Sequence, residues 1–361
     1  MALYGEERGA HMIKLGIIFG GRSGEHEVSL MSAASIISAL DSKKFQVVCI
    51  GITKQGEWRR FSGTPAEIKS GAWEEKSTPF PIDDLKKAVD FAFPVLHGPY
   101  GEDGTIQGLF EMLDIPYAGC GVLASSLAMD KISAKTIFEA HGIPICKHVA
   151  VMWEELKLDD ENLAINIEQK LSNKYPFFVK PANLGSSVGI NKVKNREQLI
   201  NSLYEAARHD RRLIVEVGVD AREIEVAMLG NADIKASITG EIVPSEEFYS
   251  YTAKYFDGGK SELIIPVEID AKIEEEIREM SIKAYASLDC AGFARIDFFL
   301  ERETNKIYIN EINTIPGFTE FSMFPVLWQH TGIDYPGLLE RIVELGYERY
   351  NAKNNRQTIS P

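Results

Sequence analysis

Arg295 and Asp297 stand two residues apart in the apolar stretch 293–301, and Glu311 and Asn313 repeat that spacing in the stretch 306–313. On a strand, side chains two apart share a face, so Ile296 and Phe298 point the other way. Pairing the two stretches through a turn at 302–305 puts an arginine, two carboxylates and an amide on one surface. Hard oxygen ligands gathered in this way suit Mg2+, above all where substrate phosphates complete the octahedron. Two carboxylates and an amide can hold two ions, which would neutralise a phosphoryl group in transfer. The plainer alternative is a solvent-facing strand pair making cross-strand ion pairs. Thr314-Ile315-Pro316-Gly317-Phe318 weighs against it, because a Pro-Gly turn directly after an acidic strand lets backbone N–H groups approach a ligand closely.

A second device is Gly185-Ser186-Ser187-Val188-Gly189, which follows a strand-like run ending at Lys180. Backbone N–H groups converging in a small loop can cradle phosphate oxygens, with hydroxyls and a lysine charge beside them. A solvated serine-rich turn is the alternative. The chain has no GxxxxGK[ST] phosphate loop. Gly20-Gly21-Arg22-Ser23-Gly24 lacks the GxGxxG spacing, which takes away the main support for a dinucleotide-dependent dehydrogenase.

These groups need a scaffold, and the apolar pattern supplies one. Residues 13–20 read as a strand ending in a glycine turn, 23–40 as a helix, and 45–52 and 89–96 as further strands. The last of these ends at His97, in His97-Gly98-Pro99-Tyr100-Gly101-Glu102-Asp103-Gly104. Strands alternating with helices predict a parallel α/β lobe, with ligands beyond the carboxyl ends of its strands, where Glu25 and His97 fall. Glu25 sits in the predicted first helical turn, where a carboxylate is also favoured as a cap. Helix 133–141, strand 177–180, helix 196–208 and strand 213–217 predict a small α+β lobe. Strands 223–229, 293–301 and 306–313 with a helical tail to 350 predict another. The expected lobes are 12–123, 124–217 and 218–350.

A chain of 361 residues can bury more than one core, and its net charge of -14 disfavours nucleic acid and anionic membrane surfaces as partners. No apolar run reaches membrane-spanning length. Cys49, Cys120, Cys146 and Cys290 form no CxxC or Cys/His cluster and read as reduced thiols of a cytoplasmic protein. Residues 1–11 carry no secretory apolar core and read as a leader ahead of an alternative start at Met12.

Taken together, the motifs resemble those of D-alanine–D-alanine ligases of the ATP-grasp superfamily, from about residue 13 to residue 350. Two long signatures carry the resemblance: His97 to Gly108, reading HGPYGEDGTIQG, and the stretch from Leu288 through Gly292, Arg295-Ile296-Asp297 and Glu311-Ile312-Asn313-Thr314-Ile315-Pro316-Gly317. Met129-Asp130-Lys131 with Lys135, Phe178-Val179-Lys180-Pro181 and the 185–189 loop follow in the matching order.

The resemblance implies a three-lobe ATP-grasp fold, α/β and α+β, whose N-terminal lobe is Rossmann-like with a parallel sheet. It implies ATP-dependent ligation of two D-alanine molecules through an acyl phosphate, for peptidoglycan precursor synthesis, by a homodimer. Lys135 and Lys180 would contact ATP phosphates with Ser187 in the loop, Glu216 the adenine amino group and Glu223 a ribose hydroxyl. Asp297, Glu311 and Asn313 would hold two Mg2+ ions, with Mn2+ as a substitute. Glu25, hydrogen-bonded with Ser186 and Tyr255, would meet the first substrate's ammonium. Lys254 and Tyr255 fall in a polar, aromatic stretch, 246–260, that reads as a lid closing over a reactive intermediate. Arg295 and the Gly317 N–H would stabilise the tetrahedral oxyanion, and His97 would orient the first substrate or assist proton transfer. Ser322 and the Met323 N–H would hold the second carboxylate, with Met323 as an apolar wall suited to a methyl group. Relatives using D-serine or D-lactate typically carry arginine at the Met323 position, and the lactate enzymes also lack the Lys254-Tyr255 pair. Such a ligase is the near alternative, and a non-catalytic nucleotide-binding protein the distant one.

Overall fold

A computed structural model of the chain describes residues 12–185, 189–243 and 262–355. Its first sheet contains β1 (Ile13–Gly20), β2 (Phe45–Ile52), β3 (Trp58–Phe61), β4 (Thr78–Pro79) and β5 (Phe91–Val95), in the order β4-β3-β2-β1-β5. β1 lies parallel to β2 and to β5, and six of its eight residues are buried in succession, as a strand covered on both faces requires. The outer strands depart from the parallel sheet that the sequence predicts, since β2–β3 and β3–β4 are antiparallel. The reason is the short connection from Ile52 to Trp58, which turns at Gly56 with φ of 92° and is too short for a crossover.

The first helix runs from His26 to Ala39 and buries Leu30, Ala33 and Ile36 against the sheet. It begins later than the predicted start at Ser23. The Ser23 hydroxyl donates to the His97 carbonyl at 2.7 Å and accepts the Glu25 N–H at 3.2 Å, so Ser23 shapes the entry turn. Glu25 occupies the cap position without a side-chain capping bond, which removes capping as the reason for its carboxylate.

The second sheet, β6 (His148–Met152), β7 (Phe177–Pro181), β8 (Asn191–Val193) and β9 (Arg212–Val217), is antiparallel with order β6-β9-β7-β8. Helices Asp160–Lys170 and Arg196–Ala206 close its core of Ile167, Phe177, Val179, Leu199, Leu203 and Val215. Asp159 and Asn195 cap those helices by accepting the Asn162 and Gln198 N–H groups.

The third sheet is antiparallel, with order β12-β11-β10-β13-β14: β10 (Ala221–Gly230), β11 (Lys235–Val243), β12 (Glu262–Ile264), β13 (Gly292–Glu301) and β14 (Ile307–Asn313). Helices Val122–Met129, Lys131–Ala140 and Ala271–Ser287 share one hydrophobic cluster with it. Helices Met323–His330 and Tyr335–Asn354 belong to another, which continues through Phe293 and Phe318 to Phe93, Phe91 and Leu15 of the first sheet. The first and third sheets therefore share a core. Among the described residues, no helix is long and apolar enough to cross a membrane.

Candidate active site

In the hairpin of β13 and β14, Arg295 is opposite Asn313 and Asp297 is opposite Glu311, and a register shift between Asp297 and Phe298 is what brings the two pairs to one face. A third strand extends the pattern, because Glu225 on β10 is paired with Asp297 from the other side. Glu225, Asp297 and Glu311 thus form a row of carboxylates across three strands. Arg295 Nε lies 2.7 Å from Asp297 Oδ1 and 2.8 Å from Glu225 Oε2, and its Nη2 lies 2.8 Å from Asp297 Oδ2. Asn313 Nδ2 donates to Asp297 Oδ2 at 2.9 Å. From the helix side, Lys131 Nζ reaches Glu311 Oε2 at 3.3 Å and donates to the Leu184 carbonyl at 2.8 Å, tying the glycine-rich loop to the hairpin.

This donor set fits a hard divalent cation. A carboxylate offers about four lone-pair sites, so Asp297 can keep Arg295 and still meet an ion. Among the described residues no three His, Cys, Asp or Glu side chains converge to hold an ion by themselves. An ion here would therefore depend on the Asn313 amide and on substrate oxygens.

Farther along, Glu216 is buried between two lysines, with Oε1 2.8 Å from Lys135 Nζ and Oε2 2.5 Å from Lys180 Nζ. Burial pushes the Glu216 carboxyl up, but the two ammonium groups outweigh it and hold it well below the usual carboxylate range. Burial works against the charge on Lys180, which the Glu216 carboxylate more than restores. Lys135 also donates to the Asn310 carbonyl at 3.3 Å. Lys131, rather than Lys135, is the helix lysine beside the carboxylate row. Glu223 is half-buried on β10.

His97 is buried at the edge of the cleft. The Ile315 carbonyl, 2.9 Å from Nδ1, can only accept, so Nδ1 carries the proton and Nε2 accepts from Ser32 Oγ at 3.1 Å. Burial lowers the His97 pKa and keeps the ring neutral. Both ring nitrogens are thus engaged by the protein, which favours orientation over proton transfer. Glu25 is buried where a Cβ added to Gly98 would collide with its carboxylate, and one on Gly185 would come within 2.9 Å of it. It therefore stands between Gly98 and Gly185.

Glu25, His97, Glu225, Arg295, Glu311, Asn313, Gly317, Ser322 and Met323 all border one cleft of about 910 Å³. Ser322 Oγ accepts the Thr319 N–H at 3.1 Å and lies 2.7 Å from the Thr319 hydroxyl. Met323 is buried beside Gly240 and Leu327, with Phe324 in the same core, whereas Phe321 is 76% exposed and does not cover it. Ser186, Ser187, Lys254 and Tyr255 lie outside the described residues, as does the 246–260 stretch.

The family model of the D-ala D-ala ligase N-terminus matches residues 14–120, and that of the D-ala D-ala ligase C-terminus matches residues 137–344. The chain belongs to the D-alanine–D-alanine ligase family. The D-alanine–D-alanine ligase of Thermoanaerobacter sp. (strain X514) is 50% identical over 355 residues, covering 94% of this chain and 98% of the relative. That of Acetivibrio thermocellus is 47% identical over 363 residues, covering 93% and 96%. Among solved structures, the D-alanine–D-alanine ligase from Coxiella burnetii superposes with a TM-score of 0.83 at 32% identity, covering 95% of this chain and 96% of that one. The VanG D-Ala:D-Ser ligase from Enterococcus faecalis gives 0.83 at 36%, covering 93% and 100%. The ATP-grasp architecture expected from the motifs is therefore the fold of this ligase.

Four ligase residues at or beside the cleft were not singled out from sequence: Ser32, Glu102, Lys131 and Glu225. Glu102 and Lys131 lie inside quoted motifs, and Glu225 repeats the two-residue spacing after Glu223. Ser32 has no local signal.

Proposed function

We propose that this ligase joins two D-alanine molecules at the expense of ATP, giving D-alanyl-D-alanine for peptidoglycan precursors in the cytoplasm, as a homodimer. The observation that carries the reading is the Glu225–Asp297–Glu311 row, in which Arg295 and Asn313 contact Asp297 and Lys131 contacts Glu311, with Glu225, Arg295, Glu311 and Asn313 lining one cleft with Glu25 and Ser322. A carboxylate is a poor electrophile, so the first D-alanine carboxylate attacks the γ-phosphorus of ATP and ADP leaves. The second amine then attacks the acyl phosphate carbonyl, and inorganic phosphate departs with the carbonyl–oxygen bonding pair.

Asp297, Glu311 and Asn313 would hold Mg2+, which offsets phosphate charge when bound. Lys131, Lys135 and Lys180 face the phosphates, and Glu216 and Glu223 the nucleoside. In this reading Glu216 screens Lys135 and Lys180 until nucleotide arrives. Glu25 meets the first ammonium. Arg295 and the Gly317 N–H meet the tetrahedral oxyanion, with Glu225 steadying the guanidinium from the side away from Asn313. Ser322 and the Met323 N–H receive the second carboxylate, and the buried Met323 side chain supports a methyl-sized substrate pocket. At a peptide-like pKa of about 8, deprotonating the second ammonium at neutral pH costs roughly 1.4 kcal/mol, which a modest environmental shift supplies.

The test is ADP release with D-alanine, D-serine and D-lactate in competition at equal concentration, with products resolved by mass. The expected product is D-alanyl-D-alanine. A methyl-sized pocket discriminates by about 1–3 kcal/mol, so D-serine should be a poor substrate. Predominant D-alanyl-D-serine or depsipeptide would overturn the specificity, and D-alanine-independent ADP release would overturn the ligase reading.

A further inference from the structure

Ile315 is held by both of its backbone polar groups, and both holders come from the first lobe. Its N–H donates to Glu102 Oε1 at 3.0 Å, and its carbonyl accepts from His97 Nδ1 at 2.9 Å. The other Glu102 oxygen accepts the Gly98 N–H at 2.8 Å. One buried carboxyl group therefore spans the loop after β5 and the loop after β14. Three residues beyond Ile315, the Phe318 N–H donates to Ser32 Oγ at 3.3 Å and the Phe318 carbonyl accepts from the Tyr335 hydroxyl. Ser32 in turn donates to His97 Nε2, which closes the set of contacts.

Gly317 lies between these anchors and borders the cleft, and among the described residues its N–H has no hydrogen-bond partner. Proline fixes its own φ and restricts the residue before it. Across Ile315-Pro316, a fixed peptide therefore passes its orientation to Gly317 with little slack. Burying a carboxyl group is unfavourable in either protonation state, and an apolar side chain could fill the same space. The two backbone N–H groups, of Gly98 and Ile315, that one carboxyl group holds account for Glu102 where packing does not.

We propose that Glu102 is a positioning residue for acyl transfer: through the Ile315 peptide, with His97 and Ser32, it aims the Gly317 N–H at the tetrahedral oxyanion. This rests on the reading of Gly317 as an oxyanion donor. The N-terminal lobe then contributes to the second chemical step through backbone it does not itself supply.

The experiment compares Glu102→Ala, Glu102→Gln and Ser32→Ala with the unaltered chain. It measures kcat, KM for ATP, thermal unfolding, and amide hydrogen exchange across residues 314–318. Displacing a transition-state donor by about an ångström costs on the order of 100-fold. Glu102→Ala should lose about that much kcat, and Glu102→Gln and Ser32→Ala about 10-fold each, with KM for ATP within about twofold and faster exchange at Ile315. If Glu102→Ala does not fold, the other two variants decide by the same split. Faster exchange with unchanged kcat would overturn the proposal by removing Gly317 from the oxyanion site. Unchanged exchange would overturn it by removing the clamp. Loss of ATP binding in step with kcat would reduce Glu102 to a structural group.

Discussion

Replacing Asp297 with Asn or Glu311 with Gln keeps side-chain volume and removes one charge from the row that Arg295, Asn313 and Lys131 face. Each change should lower kcat by at least about 100-fold while leaving the far-ultraviolet circular dichroism unchanged. Near-normal turnover at limiting Mg2+ would remove that residue from the metal site. Glu102 makes a different prediction. Burial, then the Glu25 charge, pushes its carboxyl up to about 8 against two N–H bonds, so the folded form takes a proton that an unfolded carboxyl releases near 4.5. Folded-state protons exceed unfolded-state protons between those values, so this contribution is complete at low pH and is lost as pH rises through about 8. Urea unfolding should show a decline on the order of a few kcal/mol between about pH 5 and pH 8 that Glu102→Gln flattens. A parallel decline in the variant would assign it to other groups. Arg295 with Asp297, and Glu311 with Asn313, could be read as pairs because a strand puts alternate residues on one face, whereas the register shift that joins the two pairs left no local signal. Glu102 could not, because its partner Ile315 is 213 residues away and no local spacing encodes such a contact.

Strand β2 owes its place to a missing side chain. A Cβ on Gly51 would collide with the Trp73 ring, which is fully buried and packs edge-on against Phe19 at 5.0 Å. Gly51→Ala should therefore cost about 1–3 kcal/mol through overpacking, measured as a lower urea midpoint with unchanged slope. A neutral result would mean that Trp73 can shift. Elements with long apolar runs, β1, β2, β5 and β13, were legible because burial on one or both faces writes itself into composition. The antiparallel β3 and β4 were not, nor were β12 and the helix Ala271–Ser287, whose surface-facing residues dilute the pattern, nor β11, whose buried positions include Ser237, Thr239 and Glu241. The helix expected from Ser23 begins at His26 because Ser23 and Glu25 serve the loop contacts above.

The largest hydrophobic cluster joins the first sheet to the third, whereas the central sheet closes on its own core. Native-state hydrogen exchange should accordingly show the first and third sheets opening together, and 148–217 opening at a lower free energy. Saturating ATP should raise protection in the central sheet, since Lys180 and Glu216 lie on β7 and β9. Uniform protection with no response to ATP would contradict this. The seam at Ile315 also sets a rule for recombination among ligases of this family. A chimera that takes residues 97–104 from one parent and 314–318 from another inherits two halves of a grip that were never fitted together. It could fold and bind nucleotide, yet make dipeptide slowly. Crossovers that keep both segments from the same parent should give the active hybrids.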